Sequence, residues 1–88
     1  MCIRAYLLLQ TKTGVTQEKI LELLNRPGII AADVLEGTLN LMLVLEAGQR
    51  NELVRDIEQA LDSVEPINDL RLFIGRDEYS PIPSAVGV

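Results

Sequence analysis

The stretch from Ile29 to Ala47, Ile-Ile-Ala-Ala-Asp-Val-Leu-Glu-Gly-Thr-Leu-Asn-Leu-Met-Leu-Val-Leu-Glu-Ala, decides the fold. It divides into an apolar run from Ile29 to Leu35, a break at Glu36-Gly37-Thr38, and a second apolar run from Leu39 to Ala47. Side chains alternate across a strand with a period of two. Leu39, Leu41, Leu43 and Leu45 therefore share one face, and Met42 and Val44 share the other, with Asn40 and Glu46 flanking them. A strand apolar on both faces through its middle must be covered on both sides. Gly37 suits the positive backbone angle that a tight reversal demands, so the two runs read as a hairpin.

Upstream, Asn25-Arg26-Pro27-Gly28 closes a helix. Pro27 removes a donor and restricts Arg26, and Gly28 tolerates the reversal. The helix spans Gln17 to Arg26, with Thr16 as its cap and Ile20, Leu21, Leu23 and Leu24 as its apolar stripe. Before it, Ile3 to Gln10 holds Tyr6 and three leucines, too short a run for a stable helix and readable as a strand buried on both faces. Downstream, Leu53, Ile57, Ala60, Leu61 and Val64 recur at helical spacing over about Arg50 to Ser63. Glu52, Arg55, Asp56, Glu58, Gln59 and Asp62 are expected on its outside. Pro66 stops the helix. A last strand runs from Ile67 to Gly75, with Leu70, Leu72 and Ile74 on one face and Arg71 and Phe73 on the other.

The order strand, helix, strand, strand, helix, strand predicts an α+β, ferredoxin-like βαββαβ domain over residues 1–75. It has one antiparallel four-stranded sheet with both helices on one face. Residues 76–88, with Pro81 and Pro83, read as an extended C-terminal arm or tail. Two helices cover only one face of such a sheet, so Leu8, Met42, Val44 and Phe73 are left on the other. Burying each is worth roughly 1.5–3 kcal/mol before the cost of association. The expectation is a homodimer formed through that face, possible to extend into a ring.

The 88-residue length allows one domain, and 48% hydrophobic residues on so short a chain agree with association. A net charge of −5 with scattered arginines and lysines leaves no basic stripe for nucleic acid. Cys2 is the single cysteine and there is no histidine, which excludes an internal disulfide and disfavours a zinc site. The N-terminus lacks a secretory signal pattern, and no apolar run approaches the roughly 20 residues of a membrane helix. The expected address is the cytoplasm. Catalysis is not expected either. Cys2 has no imidazole to activate it, and Asp33 and Glu36 lie on opposite faces of a strand. No cofactor is expected.

The hairpin resembles the ligand-binding domain, often called RAM, of the leucine-responsive regulator / AsnC family. That module has the same element order, and its second hairpin typically carries a valine, then glycine, any residue, an aromatic and an aspartate. Here those places fall at Val34, Gly37, Thr38, Leu39 and Asn40, so Leu39 replaces the aromatic and Asn40 the aspartate. The first strand, from Ala5 to Leu9, and the helix from Glu52 also resemble the family, and the resemblance covers about Ile3 to Gly75. It implies a sensing domain that dimerises through its sheet and binds small effectors, usually amino acids, between dimers near the glycine turn. On that analogy Gly37 and Thr38 offer amides and a hydroxyl to a carboxylate, Leu39 lies beside them, and Asn40 meets the other end of the ligand. Asn40 keeps a hydrogen-bonding tip without the charge that holds an ammonium group. Turn chemistry alone also accounts for Gly37 and Asn40. The family's usual N-terminal DNA reader has no counterpart here, so the resemblance is to the stand-alone versions, which can co-assemble with full-length regulators of the family.

Two alternatives share the element order. A small dimeric α+β barrel enzyme would hold a pocket between sheet and helices, for which Tyr6, Asn40 and Asn68 are the polar candidates. An ACT-like regulatory domain would use the loop from Thr11 to Thr16, around Gly14.

Overall fold

The computed structural model describes residues 2–76. Strand β1 (Ile3–Thr11) is followed by α1 (Gln17–Leu24), β2 (Ile29–Val34), β3 (Leu41–Ala47), α2 (Arg50–Val64) and β4 (Ile67–Arg76). The four strands form one antiparallel sheet in the order β2-β3-β1-β4. The expected α+β, ferredoxin-like βαββαβ arrangement is what the chain adopts. No helix among the described residues is long and apolar enough to cross a membrane. The expected arm lies outside the described residues except for Arg76, which pairs with Ile3 as the last residue of β4.

The doubly apolar strands take the two central places. Ala5, Leu7 and Leu9 of β1 and Leu41, Leu43 and Leu45 of β3 are fully buried beneath the helices. Leu7 pairs with Leu43, and Leu9 with Leu41, so the core is a ladder of matched leucines. Leu23 of α1 and Leu53, Ile57, Ala60 and Val64 of α2 close over it. Helix α2 packs on β3 and β1, whereas α1 packs on β2. Thr16 caps α1 as expected, accepting from the Lys19 amide at 3.1 Å.

Three local readings change. Helix α1 ends at Leu24, two residues early, and Leu21 and Leu24 of its expected apolar stripe are exposed. At 100° per residue those four side chains span about 160°, more than one short helix lying over an edge strand can cover. Asp56, expected on the outside of α2, is buried, 8% exposed. It faces the α1–β2 turn, where Gly28 has φ +82° and a Cβ placed on it would lie 2.5 Å from Asp56 Oδ2. Gly28 is therefore required twice, for its left-handed backbone and for the room it leaves a carboxylate. Finally, β3 begins at Leu41, and residues 35–40 form a loop wider than a tight turn.

Candidate functional site

The loop between β2 and β3 is built around Asn40. The Leu35 amide donates to the Asn40 carbonyl at 3.0 Å, and the Asn40 amide donates to the Leu9 carbonyl at 2.7 Å. The Asn40 side chain continues the ladder where the backbone leaves it. Its Oδ1 accepts from the Thr11 amide at 3.0 Å, and its Nδ2 donates to the Thr11 carbonyl at 3.4 Å. An amide can do both; a carboxylate can only accept. That difference gives a physical reason for asparagine rather than aspartate at this position. The Thr11 hydroxyl has one proton, and the Thr13 carbonyl at 2.6 Å is a better acceptor for it than Asn40 Oδ1 at 3.3 Å.

Of the residues expected to meet a ligand, Gly37 and Thr38 stand exposed at the loop tip, and Leu39 and Asn40 are half-buried at its base. Gly37 has φ +128°, open to glycine, and no other atom lies near the place of its absent Cβ. The polar capacity of Asn40 is directed at Thr11, whereas Gly37 and Thr38 at the tip are exposed. Asp33 lies on the open sheet face opposite Met42, and Glu36 lies in the loop, so the two carboxylates do not share an element.

The sheet face away from the helices carries Tyr6, Leu8, Ala31, Met42, Val44 and Phe73. Tyr6 pairs with Val44 on one side and Phe73 on the other, placing all three in one row across β3, β1 and β4. Of the four side chains expected there, Phe73 is 55% exposed, and Leu8 and Met42 are half-buried. Val44 is only 8% exposed, because it is hemmed between Tyr6 and Ala31 on the neighbouring strands. Tyr6, 37% exposed, adds the apolar surface that Val44 does not supply. In the next row on the same face Arg4 meets Glu46, with Nε 3.1 Å from Oε2. The Arg4 guanidinium also reaches the Tyr6 hydroxyl at 3.5 Å, and Tyr6 and Glu46 together raise its pKa above the usual arginine value. A paired, permanently charged group thus borders the apolar row.

A separate cavity of about 240 Å³ opens between the β1–α1 loop and the end of α2. Thr11, Thr13, Thr16, Lys19, Ser63 and Glu65 supply its polar lining. Composition and periodicity held no signal for it, because its walls come from segments about fifty residues apart that the sheet brings together. Among the described residues no three Cys, Asp or Glu side chains gather as a metal site requires.

Solved structures share this architecture. The hypothetical protein PHS023 from Pyrococcus horikoshii superposes with a TM-score of 0.73 and 23% identity, over 88% of this chain and 93% of that one. FFRP-DM1 gives 0.69 and 23% over 84% and 99%. PH0061 gives 0.65 and 10% over 92% of this chain and 55% of its own, so this chain spans about half of its length. These likenesses show a shared fold. No protein-family model and no curated protein matches the sequence.

Proposed function

We infer that this chain is a non-catalytic regulatory domain that self-associates through the open face of its sheet and senses a small effector, an amino acid being the best fit. The observation that carries this reading is the row Phe73–Tyr6–Val44 with Leu8 and Met42 beside it, apolar, in part exposed, and bordered by the Arg4–Glu46 pair. An apolar face of this kind is what an interface core needs, with a charged pair at its rim. Phe73, Tyr6, Leu8 and Met42 are the anchors, and Val44 contributes to the monomer. The effector would meet the exposed amides and hydroxyl of Gly37 and Thr38, with Leu39 and Asn40 shaping the loop from below. Co-assembly with full-length regulators of the Lrp/AsnC type, in the cytoplasm, completes the reading.

The test is the mass of the protein in solution by light scattering, with and without pooled amino acids. The expected result is a dimer or larger assembly that Phe73→Asp converts to monomer, and whose mass or stability an amino acid shifts. A wild-type monomer at every concentration sinks the assembly reading. An assembly indifferent to all amino acids sinks the sensing one.

The cavity lined by Thr13, Thr16 and Lys19 favours a second reading, an ACT-like regulatory domain with its effector beside the β1–α1 loop. Thr13→Val together with Lys19→Ala would then abolish an amino-acid response that variants at Gly37 and Thr38 leave intact.

A further inference from the structure

β4 is an outer strand of ten residues, and among the described residues no strand lies beyond it. Along a strand the backbone groups of successive residues alternate in direction. The Leu9 carbonyl and the Thr11 amide are taken by Asn40 on the β3 side, and the Lys12 amide by the Pro66 carbonyl at 3.1 Å on the β4 side. Tyr6, Leu8 and Gln10 therefore bond to β4, through their register partners Phe73, Arg71 and Asp69. Leu70, Leu72 and Ile74 alternate with those partners and so present their amides and carbonyls at the outer edge. The Leu70 amide agrees, since it donates to Asp69 Oδ1 at 2.8 Å. The side chains of the same three residues point toward the helices, paired with the fully buried Leu9, Leu7 and Ala5. Yet they are 40%, 47% and 42% exposed, because α2 packs mainly on β3 and β1. Outward hydrogen-bonding groups and a half-covered apolar row thus coincide on one edge.

We propose that this edge is a second interface between copies of the chain, in which β4 pairs antiparallel with β4 of another copy about a two-fold axis at Leu72. Such an axis, normal to the sheet, makes the alternating pattern of donors and acceptors self-complementary and keeps the helices of both copies on one side. The side chains select the register. An axis at Leu72 sets Leu72 opposite Leu72 and Leu70 opposite Ile74, so the two apolar rows join into one. On the open side it sets Arg71 opposite Phe73 of the other copy, and the pair occurs twice. The Arg71 side chain is 62% exposed and Phe73 55%, so each guanidinium has a free ring face to lie over. An axis at Arg71 would put like charges directly opposite one another. One at Phe73 would put Arg76 opposite Leu70 and break the apolar row. β2 suits this pairing less well than a second β4, because its register shifts between Ile29 and Ala31. The open face stays uncovered in the paired sheet, so the edge adds to the assembly proposed above and does not compete with it.

The experiment uses the full chain with Cys2→Ser as background and places one cysteine at a time on β4. A hydrogen-bonded antiparallel pair has its Cα atoms about 5.5 Å apart, within the range that a disulfide spans. Under mild oxidation Leu72→Cys should give a covalent dimer as its main product. Leu70→Cys or Ile74→Cys alone should give little, and an equimolar mixture of the two should give the dimer. Absence of the Leu72→Cys dimer overturns the proposal, and so does equal crosslinking by Leu70→Cys alone. Light scattering supplies the second measurement. Phe73 belongs to both contacts, so the open face is broken instead with Met42→Lys, whose new charge lies opposite Asp33. That protein should remain a dimer, and adding Leu72→Lys should halve its mass. A Met42→Lys monomer overturns the edge pairing, whereas an unchanged wild-type mass in Met42→Lys speaks against the open face alone.

Discussion

Replacing Asn40 with alanine tests whether that side chain holds the fold or waits for a ligand. The substitution removes both bonds to Thr11 and leaves its amide and carbonyl without those partners. Thr11 is 6% exposed, so water reaches it poorly. An unsatisfied buried donor costs about 1–3 kcal/mol, and the longer 3.4 Å bond sits at the weak end of the usual range near 0.5 kcal/mol. The sum is about 1.5–3.5 kcal/mol, a large share of the roughly 5–15 kcal/mol that typical domains have. Urea unfolding followed by far-ultraviolet circular dichroism measures it, with Tm expected to fall by roughly 10–20 °C in a domain of this size. Thr11→Val supplies the control. It removes the hydroxyl but not the backbone groups that Asn40 holds, so the two substitutions should add to within about 0.5 kcal/mol. A cost of Asn40→Ala below about 0.5 kcal/mol would refute the clamp and return Asn40 to the ligand. Strong coupling to Thr11→Val would show that the hydroxyl is the partner that matters.

Further outcomes follow from the packing. Gly28→Ala should destabilise by about 1–2 kcal/mol for its left-handed backbone alone, with more from the clash with Asp56. Asp56→Ala should recover the clash part only, as a double-mutant cycle in denaturant would measure. Leu7→Ala, in the closed centre of the sheet, should cost about 2–5 kcal/mol, whereas Leu21→Ala on the exposed side of α1 should stay within about 0.5 kcal/mol. Glu22 has its pKa lowered by its hydrogen bond to Lys19 at 3.0 Å, with Arg26 adding to it. Its contribution is present above the ordinary carboxylate range and is lost as pH falls through the lowered value. The fully solvated setting keeps it small, and Glu22→Gln should be indistinguishable from wild type in 1 M salt, checked by pH-dependent thermal melts.

The element order was legible because each strand and helix carries its own apolar period. β1 and β3 were readable as strands apolar on both faces, and the pairing places them at the centre of the sheet. What could not be read locally depends on which strand ends at an edge. Leu70, Leu72 and Ile74 have the same alternation as the leucines of β3, yet they are half open because β4 is an outer strand, while α2 packs mainly on β3 and β1. Leu21 and Leu24 failed for a related reason: α1 packs mainly on β2, and a six-residue edge strand gives it little to bury against. In the candidate site, Gly37 was legible as a turn glycine, but the hold of Asn40 on Thr11 spans 29 positions and leaves no trace in either segment. Asp56 against Gly28 is the same kind of pairing, visible only once α2 lies beside the α1–β2 turn.

The two outer strands differ in a way that bears on how copies of this sheet can grow. β4 is ten residues long, whereas β2 has six and a register shift between Ile29 and Ala31, with Ile30 52% exposed at the irregularity. Such a bulge bends and twists an edge away from flat pairing. A filament built by lateral addition needs two mutually compatible edges on every copy. With one edge blunted, a copy of this sheet offers a single long edge, that of β4, for joining. The shape of β2 thereby works against lateral growth of the sheet through that edge, independently of the open face.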